Sequence, residues 1–178
     1  MQTDLDTLSK YYDVRSEVLD FNIRDQKAFL SSMARLAKGI LWCDLSLAWF
    51  GGAPAYWSAR LVKLFGKRSA VVLGGYEVAN IPELNYGSLA NSTSASKISY
   101  ILHNADLVLP VDESLRTKAI ENFDIDGSKV IPIPTGYNSD LFKPNDAPKE
   151  NLVLTVAYIT KTTIRLKGLD TFVGAARM

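Results

Sequence analysis

The sequence predicts an α/β protein with a doubly wound parallel sheet, and three observations support this prediction. Strand-like apolar runs alternate with segments of helical periodicity through residues 1–143, at spacings typical of βαβ units. Residues 69–73 form an apolar run of the kind that a parallel sheet buries on both faces. Glycine pairs follow two predicted strands, at 51–52 and 74–75. Because such sheets bind ligands at the carboxyl ends of their strands, these loops are the first candidates for a site.

The first five elements follow from hydrophobic spacing and from residues that begin or end helices. They are a helix at 4–12, a strand at 14–21, a helix at 25–39, a strand at 43–50 and a helix at 55–65. Leu5 and Leu8 share one face of the first helix, and the next segment alternates apolar with polar residues, as a strand does. The second helix has an apolar stripe and closes on Gly39. Pro54 begins the third helix, and Gly66 ends it.

The remaining elements continue the same alternation. A strand at 69–73 leads into an irregular stretch at 76–90, a helix at 92–104, a strand at 106–111, a helix at 113–123 and a strand at 130–133. Serine and threonine at the start of the fourth helix are favoured N-terminal capping residues. These elements complete the first predicted domain, which spans residues 1–143.

A second domain is predicted to begin after a linker. Residues 144–151 are polar and interrupted by prolines, so they fit neither a helix nor a strand. A strand at 152–158 and a helix at 168–178 follow. One strand and one helix have no core of their own, so we expect residues 152–178 to be the truncated start of a second domain. The alternative is that they dock on the first domain.

Composition excludes several classes of protein. The chain has 178 residues with 20 basic and 19 acidic side chains, which argues against a nucleic-acid-binding protein. Its one cysteine, Cys43, cannot form an internal disulfide and is expected to be a small buried side chain. No signal peptide and no apolar run of membrane-spanning length is visible, so we expect a cytoplasmic protein. His103 is the only histidine, and no metal-ligand spacing occurs, so no metal or cofactor is expected.

Four segments together resemble one enzyme family. The segment VIPIPTGYNSDLFKP at 130–144 resembles the junction "viPnGvDtxxFxP", with Asn138 in place of the usual aspartate. The segments ADLVLPVDES at 105–114, GGYEVANIPELNYG at 74–87 and LKGLD at 166–170 resemble "aDxvlavSexl", "GGyDvaxiPExxYG" and "rKGxdxli". These motifs, in this order, are similar to those of retaining GT-B glycosyltransferases of family 4. The resemblance fades over the first 40 or so residues.

The resemblance implies a fold, an activity and a set of site residues. The fold would be the Rossmann-like N-terminal domain of a GT-B enzyme, followed by the first βα unit of a second Rossmann-like domain. The activity would be transfer of a hexosyl group, with retention and without metal, from a UDP- or GDP-sugar to a glycan or lipid-linked acceptor. The implied residues are Lys167 and Arg165 at the donor phosphate, Gly74, Gly75 and Glu77 in the acceptor cleft, and Pro134, Gly136 and Phe142 at the hinge.

Physical chemistry supports the role of the donor-phosphate cation. The diphosphate leaving group gains negative charge as the glycosidic bond breaks, and a fixed cation lowers that barrier. Lys167 precedes a glycine at a predicted helix start, where backbone N–H groups would add to its charge. Arg165 would supply a second, bidentate donor. From spacing alone, two solvated cations on a loop are the alternative, and the resemblance favours the functional role. We therefore expect Lys167→Ala in the full-length enzyme to lower the rate far more than the stability.

The sequence also departs from the family pattern. Ala157 and Tyr158 stand where the family has Gly-Arg, and no histidine follows the strand at 69–73, so that role is not transferred and the catalytic residues are unknown. Glu77 has two open roles. It would bind an acceptor hydroxyl or the donor sugar, or it would cap the backbone of its own loop.

The roles of one helix face and of two tryptophans, and the class of enzyme, are also open. Arg60, Lys63 and Lys67 share a helix face that is expected to be solvated, and the alternative is peripheral docking on an anionic membrane. Trp49 and Trp57 are expected in the core, although they flank a strand end and would otherwise line an acceptor groove. The rival functions are another GT-B enzyme, such as a nucleotide-sugar epimerase or a phosphorylase, and a non-catalytic glycan- or partner-binding module.

Overall fold

The computed structural model describes residues 2–22, 24–137, 139–143, 148 and 150–176, with the side chains of residues 2 and 3 left aside. The helices are α1 (Gln2–Leu8), α2 (Gln26–Trp42), α3 (Ala53–Leu64), α4 (Ser92–Asn104), α5 (Glu113–Phe123), α6 (Lys161–Leu166) and α7 (Leu169–Ala175). The strands are β1 (Leu45–Trp49), β2 (Arg68–Leu73) and β3 (Leu107–Pro110). Single 3-10 turns lie at Tyr76–Val78, Pro82–Leu84, Ser88–Ala90 and Gly127–Lys129.

The three strands form one parallel sheet in the order β1-β2-β3. Ala48 pairs with Val71, and Val71 pairs with Val108, so these residues mark one row across the sheet. Each strand is followed by a helix or a 3-10 turn, and α3 and α4 lie between successive strands. The α/β class and the parallel sheet that the sequence predicts are thus confirmed, in the form of a small open sheet compatible with a Rossmann-like unit.

The predicted strand at 130–133 runs beside β3 without forming a full strand. Val130 makes a single parallel bridge to Val108, and the Ile131 N–H donates to the Val108 carbonyl at 2.9 Å. Pro132 and Pro134 have no N–H to donate, and proline limits a segment of this kind to the edge of a sheet. The chain therefore continues the parallel sheet for only a few residues.

Two other predicted strands are absent from the described residues. In the segment at 14–21, Leu19 packs with Phe21 against α2 and α3, beside Leu36 and Val62, and no residue joins the sheet. Only Leu19 and Phe21 of its apolar residues pack on this helical layer, while Val18 is exposed. The segment at 152–158 is extended and exposed, and Val156 is 89% exposed. A strand needs a hydrogen-bonded neighbour, and none pairs with this segment in the described structure.

Helix α2 extends past the residue at which the sequence predicts its end. Gly39 accepts a helical hydrogen bond from the Cys43 N–H at 2.9 Å, and the helix ends at Trp42. Asp25 caps the N-terminus, since its side chain accepts from the Ala28 N–H at 3.0 Å. Gly39, which the sequence predicts to end the helix, thus lies within the last turn of α2.

The core lies between the sheet and helices α3, α4 and α5. Leu73, Leu102 and Val108 are fully buried at its centre, and Phe123 closes it from α5. A smaller apolar cluster lies between α2 and α3. Helices α6 and α7 pack against one another. Across the part of the chain that the structure describes, no helix is both long and apolar enough to span a membrane.

Candidate functional site

A cavity of about 540 Å³ opens at the carboxyl ends of β1 and β2. This is the position that a parallel sheet predicts for a ligand, because the loops after neighbouring strands converge there. The lining residues come from the loop after β1, the loop after β2, and the first turns of α4. They are Phe50, Gly51, Gly52, Ala53, Gly74, Tyr76, Glu77, Tyr86, Ser88, Ser94, Lys97 and Ile98.

The carboxylate of Glu77 holds the two loops together. Its Oε1 accepts the Gly51 N–H at 3.0 Å, and its Oε2 accepts the N–H groups of Gly74 at 3.2 Å and Gly75 at 3.1 Å. The residue is only 4% exposed. Of the two roles that the sequence left open for Glu77, the structure shows backbone capping. The carboxylate caps its own loop after β2 and also the loop after β1, through Gly51. The oxygens are therefore already occupied by backbone donors.

Two glycines of these loops are needed because other groups approach them closely. A Cβ on Gly51 would lie 2.4 Å from Cδ1 of Ile98 and 3.0 Å from Cγ of Glu77. A Cβ on Gly74 would lie 2.5 Å from the ring of Phe50. Gly75 has φ of +122°, a conformation that side chains rarely adopt. The glycine pairs thus allow the loops to fold against α4 and against each other.

Aromatic side chains form the apolar walls of the cavity. Phe50 is a non-glycine residue with φ of +66° and is 52% exposed, so its ring stands at the cavity mouth. Residues in such sparsely populated conformations cluster at functional sites. Tyr76 and Tyr86 meet edge to face, with ring centroids 5.2 Å apart. The cavity therefore presents three rings.

The polar groups of the cavity come from α4 and from the loop before it. Ser88 is buried, and its hydroxyl donates to the carbonyl of Glu77. Ser94 and Lys97 lie in the first two turns of α4. Asn91 fixes the start of that helix, since its side chain accepts the Ser94 N–H at 3.0 Å.

Of the residues predicted for the acceptor cleft, Gly74 and Glu77 line the cavity. Gly75 does not line it, although its N–H takes part in the Glu77 cap. The sequence reasoning missed Phe50, Tyr86, Ser94 and Lys97. Phe50 could have been identified because it directly follows a strand. Nothing in the sequence indicates that Tyr86, Ser94 and Lys97 lie near Phe50.

The predicted tryptophans do not line the cavity. Trp49 packs edge to face on Phe50, with ring centroids 5.6 Å apart. Trp57 packs against Phe29 and Tyr56. Both tryptophans therefore lie outside this cavity, and the alternative that they line an acceptor groove stays a prediction.

The predicted hinge residues lie on the surface. Pro134 and Gly136 are exposed. Phe142 is also exposed, and its ring lies 6.2 Å from that of Tyr137. Asn138 and Pro144, and most of the predicted linker at 144–151, lie outside the described residues. The hinge role of Pro134, Gly136 and Phe142 stays a prediction.

The predicted donor-phosphate cations lie in the C-terminal helical pair. Arg165 is exposed in the last turn of α6, and Lys167 caps the C-terminus of that helix, with its N–H donating to the Thr163 carbonyl at 2.9 Å. Gly168, with φ of +60°, is the N-cap residue of α7. Neither cation lines the cavity or forms an ion pair within the described part of the chain. Their contact with a donor stays a prediction.

The basic face of α3 is bound to neutral partners. The Arg60 guanidinium donates to the Tyr56 hydroxyl at 3.1 Å, and the Lys63 ammonium donates to Asn104 at 2.7 Å. The prediction that Lys67 shares this face is wrong, because α3 ends at Leu64 and Lys67 follows the turn at Gly66. Where the structure describes the chain, Arg60, Lys63 and Lys67 make no ion pair. Their positive charge therefore stays uncompensated by carboxylates.

Two further observations bear on the kind of site. Among the described residues, no group of three or more histidine, cysteine or carboxylate side chains is arranged to hold a metal ion. Cys43 is half-buried, and burial raises the pKa of its thiol, which makes it a poor nucleophile at neutral pH.

No protein-family model and no curated protein matches the sequence. The class that the fold and the site define is thus an α/β protein with a ligand-sized cavity at the carboxyl edge of a parallel sheet.

Proposed function

We propose that this chain forms the acceptor-binding domain of a retaining GT-B glycosyltransferase. The enzyme would transfer a hexosyl group from a UDP- or GDP-sugar to a glycan or a lipid-linked acceptor. The observation that carries this proposal is the aromatic-walled cavity at the carboxyl ends of β1 and β2. Its volume of about 540 Å³ lies within the range of small-molecule sites and is large enough for one or two sugar rings.

The walls of the cavity suit a carbohydrate. A sugar ring presents C–H groups on its faces and hydroxyls at its edge, so it binds where aromatic surface alternates with hydroxyl and amino groups. Phe50, Tyr76 and Tyr86 supply the surface, and Ser94 and Lys97 supply hydrogen-bonding groups. This composition supports a glycan acceptor over an apolar ligand.

The chemistry of the cavity favours binding over catalysis. A general base needs a free carboxylate or imidazole within reach of the substrate. Among the described lining residues, Glu77 is the only carboxylate, and its oxygens are taken by three N–H groups. In the proposed enzyme this domain therefore orients the acceptor, and Lys167 and Arg165 belong to the donor side, where they stabilise the leaving diphosphate.

A carbohydrate-binding module that catalyses no reaction is the second candidate. The same observation favours it, because a cavity without a free acid or base is sufficient for binding. Donor binding separates the two candidates. In the full-length protein, a transferase binds UDP or GDP through Lys167, and Lys167→Ala weakens that binding while Lys161→Ala, at the start of α6, does not. A binding module has no such affinity.

Sugar binding at the cavity is tested by saturation-transfer NMR. We expect the chain to transfer magnetisation to at least one of the methyl glycosides of glucose, galactose, mannose and N-acetylglucosamine. Tyr86→Ala removes one cavity wall and should weaken that binding about tenfold, the equivalent of roughly 1.4 kcal/mol. Tyr137→Ala is the matched control, since Tyr137 is an exposed tyrosine that does not line the cavity. Equal loss in both variants, or no transfer to any of the four sugars, would exclude the proposal.

A further inference from the structure

The cavity contains one charge that the protein leaves without a partner. Its ionisable carboxylate and ammonium groups are those of Glu77 and Lys97. Three backbone N–H groups surround the Glu77 carboxylate. The ammonium of Lys97 forms no ion pair in the described part of the chain. The charged group of the cavity that remains available to a ligand is therefore the ammonium of Lys97.

Packing of α4 fixes the backbone from which the exposed side chain of Lys97 extends. Its neighbour Ile98 is 4% exposed and lies so close to Gly51 that a Cβ there would come within 2.4 Å of its Cδ1. The turn of α4 that carries Lys97 is thus wedged against the loop after β1. The Asn91 cap holds the start of the same helix. The backbone of Lys97 is thus held beside the cavity, and its exposed side chain lines it.

An ammonium group beside a concave, aromatic-lined surface favours an anionic ligand. Walls of low polarity weaken solvent screening, so a charge interaction there is stronger than on an open surface. Tyr76, Tyr86 and Ser94 also line the cavity, but their hydroxyls are neutral and complement a sugar rather than a charge. A ligand with both a sugar ring and an anionic group would use all of these groups at once.

We propose that the cavity selects a sugar acceptor that carries an anionic group, a carboxylate or a phosphate, and that Lys97 binds this group. The inference rests on the proposed function, since it assumes that a sugar occupies the cavity. It goes further by naming the chemical class of the acceptor and the residue that determines the specificity. Uronic acids and sugar phosphates share the required chemistry.

Titration calorimetry with three probes tests the inference. Methyl glucoside is the neutral probe, glucuronate carries a carboxylate, and glucose 6-phosphate carries a phosphate. We expect at least one anionic probe to bind about tenfold more tightly than methyl glucoside, and the stronger of the two identifies the source of the charge. Lys97→Gln should abolish this preference because it weakens binding of the anionic probe more than binding of methyl glucoside, and Lys97→Arg should retain the preference.

The control variant is Lys118→Gln, which removes an exposed lysine on α5 that does not line the cavity. It should leave the preference unchanged, and thermal unfolding of all variants should confirm that they fold alike. Equal binding of the neutral and anionic probes, or a preference that survives Lys97→Gln, overturns the role of Lys97 but leaves sugar binding intact. If none of the three probes binds and the four methyl glycosides also fail to bind, the proposed function itself is wrong.

Discussion

At the scale of single residues, Glu77 determines how the two loops of the cavity meet. Its carboxylate accepts hydrogen bonds from one loop through Gly51 and from the other through Gly74 and Gly75. A nearly buried carboxylate is stable only when such donors replace the water that it loses. The geometry of the cavity mouth thus depends on this one side chain.

We predict that Glu77→Gln lowers the free energy of unfolding by about 1–3 kcal/mol. The amide keeps the size of the side chain, but it replaces one accepting oxygen with an NH₂ group that faces backbone N–H donors. Urea denaturation measures the difference. Glu121→Gln is the control, because Glu121 is exposed on α5. Equal midpoints for the two variants would show that the cap contributes nothing to stability.

Residue identity alone explains part of the site. The glycine pairs were predicted, because glycine after a buried strand allows sharp turns and close contacts, and the structure places Ile98 and Phe50 against them. The two roles of Glu77 could not be separated from the sequence, because that choice depends on whether Gly51, 26 positions away, lies within hydrogen-bonding distance.

At the scale of elements, two of the helices with capped N-termini were predicted with their bounds. Helices α4 and α5 begin and end where the sequence places them, and Asn91 and Asp112 cap them. The hydrogen bonds that Asp112 accepts from Ser114 lower the pKa of its carboxyl, as expected of a capping carboxylate. Capping joins residues that are close together in the chain, so it can be predicted from the sequence.

Strands were predicted less well than helices because a strand depends on a partner. The apolar alternation at 14–21 and the apolar run at 152–158 have the composition of strands, but no sheet edge pairs with either in the described structure. Phe21 lies instead on a helical layer. Pairing is a non-local property, and periodicity alone cannot supply it.

We predict that Gly39→Ala raises the free energy of unfolding by about 0.5–1 kcal/mol. Gly39 lies within α2, and a Cβ there would meet no atom within 4 Å. Alanine therefore stabilises the helix at no steric cost.

The same substitution distinguishes this helix from the shorter one that the sequence predicts. A glycine that ended the helix in a left-handed conformation would make alanine destabilising. Gly66 is the matched control, because it follows α3 with φ of +63° and also has open space around it. Gly66→Ala should lower the stability. A lower melting temperature for both variants than for the unchanged protein would contradict the finding that α2 continues to Trp42.

At the scale of the whole molecule, topology located the site before its residues were known. Parallel strands have their carboxyl ends at one edge, and the cavity lies at that edge. The residues of the cavity walls could not be predicted from the sequence. The position of Tyr86 depends on the path that residues 76–90 follow, and the position of Lys97 depends on the rotation of α4 about its axis. Both depend on packing between elements that are distant in sequence.

Binding of a sugar in the cavity at the carboxyl edge of the sheet is the claim on which the proposed function and the role of Lys97 both depend. The most direct test of this claim is to map backbone amide chemical shifts while the protein is titrated with a sugar that it binds. We predict that the largest shifts fall on cavity residues, while Lys63 and Lys118, which lie outside the cavity, stay unmoved. The cavity amides expected to shift are those of Gly52, Ala53, Gly74, Ser94 and Lys97. Saturable shifts that are centred elsewhere and leave these amides unchanged would contradict sugar binding at this site.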